Sequence, residues 1–234
     1  MRRIFNYFTR AELILWCSSA AVILISFFIF DRASYLTLAA SLVGVTSLIF
    51  GAKGHPVGML LMIIFSLLYG IISYTFSYYG EMITYLGMTM PMSLLSLISW
   101  LKNPYEKGKA EVKVDKLKPN EGWLMLLLSA AVTALFYFIL SWLGTANIVP
   151  ATVSVTTSFL AVYLTFRRSP YFALAYAAND IVLIVLWVLA SISDIRYVSV
   201  IVCFGAFLVS DLYAFFSWRK MAKRQENTQS VPRS

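Results

Sequence analysis

One pattern governs this chain: unbroken apolar runs of about 20 residues, each closed by a turn or a charge, follow one another almost from end to end. A run of that length is what a helix needs to cross the hydrocarbon of a bilayer. Composition shows that water is the wrong solvent for them. Hydrophobic residues make up 60% of the 234 and charged residues 13%, against roughly 45–50% and roughly 25% in soluble domains. A single soluble core could not hide that much apolar surface. In lipid the backbone must satisfy its own polar groups, so helices or closed barrels are the candidates. Barrel strands alternate apolar and polar residues in short segments, and these runs do not. The expected class is an all-α integral membrane protein.

Spans are predicted at 11–30, 36–53, 56–79, 82–101, 122–143, 147–166, 170–190 and 196–217. The first follows Arg2, Arg3 and Arg10 but shows no small-residue cleavage pattern before Asp31, so it is read as a helix rather than a cleaved signal. With the N-terminus placed in the cytoplasm, all of the 19 basic residues except Arg32 and Arg196 fall in inside segments. Losing or adding a span would scramble that separation. Eight spans are expected, with both termini cytoplasmic. The net charge of +8 then reflects topology rather than nucleic-acid binding. Cys17 and Cys203 both fall in apolar runs and are expected to be buried packing residues. The stretch from Lys102 to Glu121 reads as a solvated connector, and the segment after Trp218 as a basic tail that meets lipid headgroups and ends in disorder.

Two three-helix blocks flank the span at 122–143. Pro56 opens a helix in the first and Pro170 in the second, both where a helix start tolerates proline. The first block ends in Ser99-Trp100-Leu101-Lys102 and the second in Ser217-Trp218-Arg219-Lys220. One helix between two odd-numbered blocks gives them the same orientation, a parallel repeat about an axis along the membrane normal. The expected divisions are 1–35 (N-terminal segment and extra helix), 36–101 (first repeat), 102–146 (loop and linker helix), 147–218 (second repeat) and 219–234 (tail). Transporters built from parallel repeats hold substrate near the midplane between the halves.

Polar residues inside the spans are the candidates for that site. Asn179 and Asp180 lie near the middle of FALAYAANDIVLIVLWVLA. A central aspartate costs roughly 2.5–3.5 kcal/mol on insertion scales and is a functional candidate by default. Tyr176 and Trp187 fall at helical spacings from this pair, so the face is expected to offer two aromatic plates with an amide and an acid between them. A structural hydrogen bond to a neighbouring helix is the competing reading. Asp211 in the last span is a second acid. Ser66 follows Pro56 by the same interval that separates Asp180 from Pro170, and Tyr69 and Ser73 continue its face. Thr84, Tyr85 and Thr89 begin the next span, where Pro91 predicts a locally opened backbone. Gly44, Gly70 and Gly87 are expected to serve close helix packing.

Enzyme chemistry finds little support. The single histidine, His55, sits in a turn. No Cys/His spacing suits a metal, no Gly-rich phosphate loop leads into Lys and Ser/Thr, and no Gly-x-Ser-x-Gly elbow occurs. No cofactor is implied.

At NDIVLIVLW (179–187), SDLYAFFSWRKM (210–221) and YLGMTMPMSLLSLISWLKNP (85–104) the sequence resembles the PnuC family of bacterial vitamin transporters, over about residues 36–225. The resemblance implies a SWEET-like three-plus-one-plus-three core with an extra first helix, a homotrimer, and facilitated diffusion of nicotinamide riboside trapped by a cytoplasmic kinase. Asn179 and Trp187 match the family's asparagine and an aromatic position in this helix. Where some nicotinamide riboside carriers have an asparagine in the second core helix, this chain has Phe65 beside Ser66, and Tyr176 stands for a tryptophan. Thiamine, riboflavin or a deoxynucleoside are therefore alternative cargoes. Proton coupling, or a membrane scaffold or receptor role, are the readings of other classes.

Overall fold

The computed structural model describes residues 7–75, 78–145 and 147–230. Arg2, Arg3 and Arg233 of the basic-residue pattern lie outside these. Among the described residues there are eight helices long and apolar enough to cross a membrane. They are α1 (Arg10–Phe30), α2 (Tyr35–Ala52), α3 (Val57–Thr75), a composite span, α6 (Pro119–Trp142), α7 (Ile148–Phe166), α8 (Phe172–Ser191) and α9 (Val198–Ser230). The composite span joins α4 (Tyr79–Ile83), a π-helical turn (Thr84–Thr89) and α5 (Met90–Lys102). An even number of crossings puts both ends of the described chain at one face of the bundle, here called the terminal face, with the far face opposite.

Local chemistry sets the helix ends. Thr9 caps α1: its hydroxyl accepts from Glu12 N–H at 3.3 Å while the Glu12 carboxylate accepts from Thr9 N–H at 2.7 Å. Pro119 opens α6, where its missing N–H costs nothing. Pro91 explains the π turn. It cannot donate to the carbonyl four residues back, and the ladder answers by widening: Met90 N–H bonds Tyr85 O, five residues earlier.

The first block (α2, α3, α4–α5) and the second (α7, α8, α9) pack as three-helix units. They meet through α2 against α9 and α5 against α7. Their equivalence extends to single bonds. Trp100 Nε1 donates to Thr165 O at 3.0 Å and Ser99 Oγ to Phe166 O at 3.2 Å. Trp218 Nε1 donates to Gly51 O at 2.8 Å and Ser217 Oγ to Ala52 O at 2.9 Å. Each block thus uses a Ser-Trp pair to grip the last turn of the other block's first helix, and the two indoles lie 5.3 Å apart. The turns that follow are also alike. Gly54 and Arg168 both take left-handed backbone angles (φ 64° and 56°), each two residues before its proline.

Two expectations need correction here. The segment 103–118 is not a loose connector. Val112 N–H bonds Gly54 O at 3.0 Å and Asp115 N–H bonds Arg168 O at 3.1 Å, so the segment straps together the two equivalent turns. Most of the expected tail is the continuation of α9 to Ser230, and its end, 231–234, the part expected to be disordered, lies outside the described residues. This helix holds the strap: Gln225 accepts from Val114 N–H at 2.8 Å and donates to Val112 O at 3.0 Å, and Arg224 pairs with Glu111. Mixed charge at 103–118 is ion pairing with this helix and with the arginines of the α7–α8 turn.

Close packing uses some of the expected glycines. A Cβ on Gly44 would lie 2.2 Å from Phe207, and one on Gly70 would lie 2.6 Å from Leu86. Gly87 is different: it is exposed, and a Cβ there meets only Ile83 of its own span, at 3.8 Å. Gly58, not singled out from sequence, faces the α2 backbone: a Cβ there would lie 2.6 Å from Gly51 N. Cys203 is buried as expected. Cys17 is exposed, because α1 covers the bundle with one side only. Lys53 bonds Glu12 at 3.1 Å and Trp16 Nε1 bonds Thr46 at 3.1 Å, which fastens α1 to the first block.

Candidate functional site

Depth along each helix follows from a rise of about 1.5 Å per residue. Tyr69, Tyr85 and Trp187 each lie about 6–9 Å inside the far-face end of their helices. They meet at the centre. Trp187 Nε1 donates to Tyr69 Oη at 2.8 Å, a bond between the middle helices of the two blocks. The Tyr69 and Tyr85 rings are 4.4 Å apart, and Phe204 stands 5.5 Å from Tyr69. Tyr78 closes on Trp187 at 4.9 Å. Trp187 is wholly buried, inside the bundle rather than at a lipid interface. The rings pack on one another and close this layer.

Below the rings, toward the terminal face, lie the acids. Asp180 is about 12 Å into α8 from that face, and Asp211 stands beside it on α9 with their carboxyls in direct interaction. Both are at least 97% buried, at 3% and 2% exposure. Asp180 Oδ2 and Asp211 Oδ1 have no hydrogen-bond partner. A buried charge without a partner is costly enough that native structures explain it by an ion, a proton or a ligand. Among the described residues, no lysine or arginine is fully buried, so no base within the core offsets the pair.

Neighbouring residues of one helix diverge here. Asn179 turns to α7, where its carbonyl accepts from Thr157 Oγ1 at 2.7 Å and Ser158 Oγ at 3.0 Å. Its oxygen is spent on a helix-to-helix pin, as the competing reading anticipated. Tyr176 does not pair with Trp187 as a plate. Eleven residues separate them, about 16 Å of helix. Tyr176 packs by Phe172 at 6.3 Å, within electrostatic reach of both aspartates. Thr84 spends its hydroxyl on Gly80 O at 2.8 Å, inside its own helix. Ser66 and Ser73 are fully buried on α3, and neither hydroxyl has a partner.

Repeat symmetry relates the second block's acids to serines in the first. Pro56 and Pro170 differ by 114 positions, as do Ser66 and Asp180, while Trp100 and Trp218 differ by 118, as do Ser93 and Asp211. The carboxyl pair is therefore one-sided in a two-fold frame.

Sequence reasoning missed Glu81. It is 1% exposed, and neither carboxylate oxygen is bonded. The expected span began at residue 82, which left Glu81 in a loop. Helix α4 begins at Tyr79, and the shift of three residues carries the acid inside. The signal available was an acid at the head of a span that also contains an internal proline.

Against known proteins, a family model described as "Nicotinamide mononucleotide transporter" matches residues 34–220. A curated protein of Neisseria mucosa, named nicotinamide riboside transporter PnuC, is 28% identical over 95% of this chain and 86% of its own length. A protein of the same name from Haemophilus influenzae is 22% identical, covering 82% of each. A solved structure titled "Crystal structure of the Vitamin B3 transporter PnuC" superposes with a TM-score of 0.81 at 24% identity, over 93% of this chain and 94% of that one. At that identity the likeness establishes the shared fold.

Proposed function

The chain belongs to the nicotinamide mononucleotide transporter family, and on that premise we propose that it carries nicotinamide riboside across the bacterial cytoplasmic membrane by facilitated diffusion. The observation that carries the cargo assignment is the Asp180–Asp211 pair: two buried carboxyls with unpartnered oxygens and, among the described residues, no buried base, beneath a layer of rings. Nicotinamide riboside offers what such a site lacks. Its pyridinium is a flat cation for carboxylate and ring faces, and its ribose hydroxyls suit the unpartnered serine on the same side of the ring layer, Ser66. The names of the two curated relatives agree with this cargo. Movement is by rocking of the two blocks about the ring layer. Phosphorylation by a cytoplasmic kinase then traps the nucleoside, and the working unit is a homotrimer with both termini in the cytoplasm.

Purified protein in liposomes tests this directly. Nicotinamide riboside is expected to enter and to equilibrate without concentration, while thiamine, riboflavin and deoxynucleosides compete weakly. Preference for any of those three reassigns the cargo within the family. One observation favours a second mechanism: adjacent buried carboxyls also suit a shared, transferable proton. Proton coupling predicts accumulation under an imposed pH gradient and collapse with a protonophore. Facilitated diffusion predicts neither.

A further inference from the structure

Glu81 is the other buried acid with nothing to hold. It sits two residues into α4, about 3 Å below the far face, yet it does not reach water. The corner of α6 and α7 seals it: a Cβ on neighbouring Gly80 would lie 2.8 Å from Leu140 and 3.3 Å from Thr145. The side chain turns inward beside Ser154 of α7. The Ser154 and Thr145 hydroxyls, like both Glu81 oxygens, have no hydrogen-bond partner. Inward of Glu81 lies the ring layer. The phenols of Tyr69 and Tyr85 are within its electrostatic reach, and Tyr85 is also within reach of Asp180. The π turn follows at once, and such turns are frequent at functional sites because they re-aim the residues around them.

We propose that Glu81 is a second binding station for the cationic end of the solute, placed just inside the far face and separated by the aromatic layer from the Asp180–Asp211 pair. The proposal rests on the transport reading above. A permeant cation exchanges one carboxylate for another across a layer of ring faces, so it is stabilised on both sides of the closure. The stations select a flat, monovalent organic cation. A small hydrated metal ion would have to give up its water to ring carbons and a few hydroxyls, which supply too few oxygen ligands.

Proteoliposome uptake of nicotinamide riboside and of its neutral 1,4-dihydro form, by wild type and by Glu81→Gln and Glu81→Asp, is the test. Glu81→Gln is expected to lower uptake of the cation about tenfold and uptake of the neutral form less than about twofold. Glu81→Asp keeps the preference for the cation. Equal loss for both substrates, or no loss for either, overturns the assignment. So does a Glu81→Gln variant that loses only its response to a pH gradient, since that outcome makes Glu81 a proton carrier. Uptake of neither form by wild type overturns the transport reading itself. Should Glu81→Gln fail to fold, wild type still decides the matter. Modification of Glu81 by an apolar carbodiimide, read by peptide mass, is expected to slow with the cation and not with the neutral analogue. Equal protection overturns the proposal.

Discussion

Asp180 and its neighbour Asn179 show how much one residue of helix rotation changes. The amide is tied to two hydroxyls of α7, while the acid meets another acid on α9 and keeps an oxygen unbonded. Their substitutions are therefore expected to separate. Asp180→Asn should weaken nicotinamide riboside about tenfold or more in calorimetric titration and change a neutral ligand little. Asn179→Ala should lower the melting temperature and affect both ligands together. His55 makes a prediction of a different kind. Its Nδ1 accepts from Val57 N–H at 3.1 Å, and burial holds its pKa below the usual histidine value. The unfolded chain then binds a proton that the folded chain refuses. Stability is full above the unfolded pKa of about 6.5 and falls as pH drops below it. Melting curves in detergent should show that slope, and His55→Gln should remove part of it.

Among the helices, the Ser-Trp grips make the clearest forecast. Trp100→Phe and Trp218→Phe each remove one indole hydrogen bond to a carbonyl, a loss of about 1 kcal/mol plus the cost of the orphaned acceptor. The two effects should be similar in size because the bonds are equivalent. They should not add, because the rings touch. A double-mutant cycle on thermal stability measures both statements. These grips also show what was legible in the sequence. The Ser-Trp repetition at 99–100 and 217–218 revealed two blocks, since spacing survives duplication. What those side chains hold was not legible, because their partners lie on the opposite block, about 65 and about 167 residues away in sequence. The same limit applies to the site. Asp180, Asp211, Tyr69, Tyr85 and Trp187 stood out as polar or amphipathic groups in apolar runs. The pairing of the two acids, and the parting of Tyr176 from Trp187, depend on helix rotation that periodicity leaves free. Glu81 was lost to a boundary displaced by less than one turn.

For the molecule as a whole, charge and hydropathy were sufficient to give eight crossings, since the cost of burying backbone in lipid leaves few other solutions. They did not reveal the strap at 103–118, whose bonds to the two turns are made by main-chain N–H groups that carry no compositional mark. Orientation in the membrane is open to a direct measurement. In a background of Cys17→Ser and Cys203→Ala, Arg196→Cys should react with an impermeant maleimide added to intact cells, and Lys107→Cys should react only after lysis. Both positions are exposed at opposite faces. The reverse pattern would invert the assignment of both termini to the cytoplasm.

The crossed grips at the terminal face carry a consequence of their own. Each half presents the same donor pair and the same receiving carbonyls, so the joint is isologous, the kind of contact by which identical subunits make a closed pair. Neither half can let go alone: releasing one indole strips the support from the ring that rests against it. Separation at this face is therefore concerted, a single event shared by two matched hands rather than a sequence of independent latches.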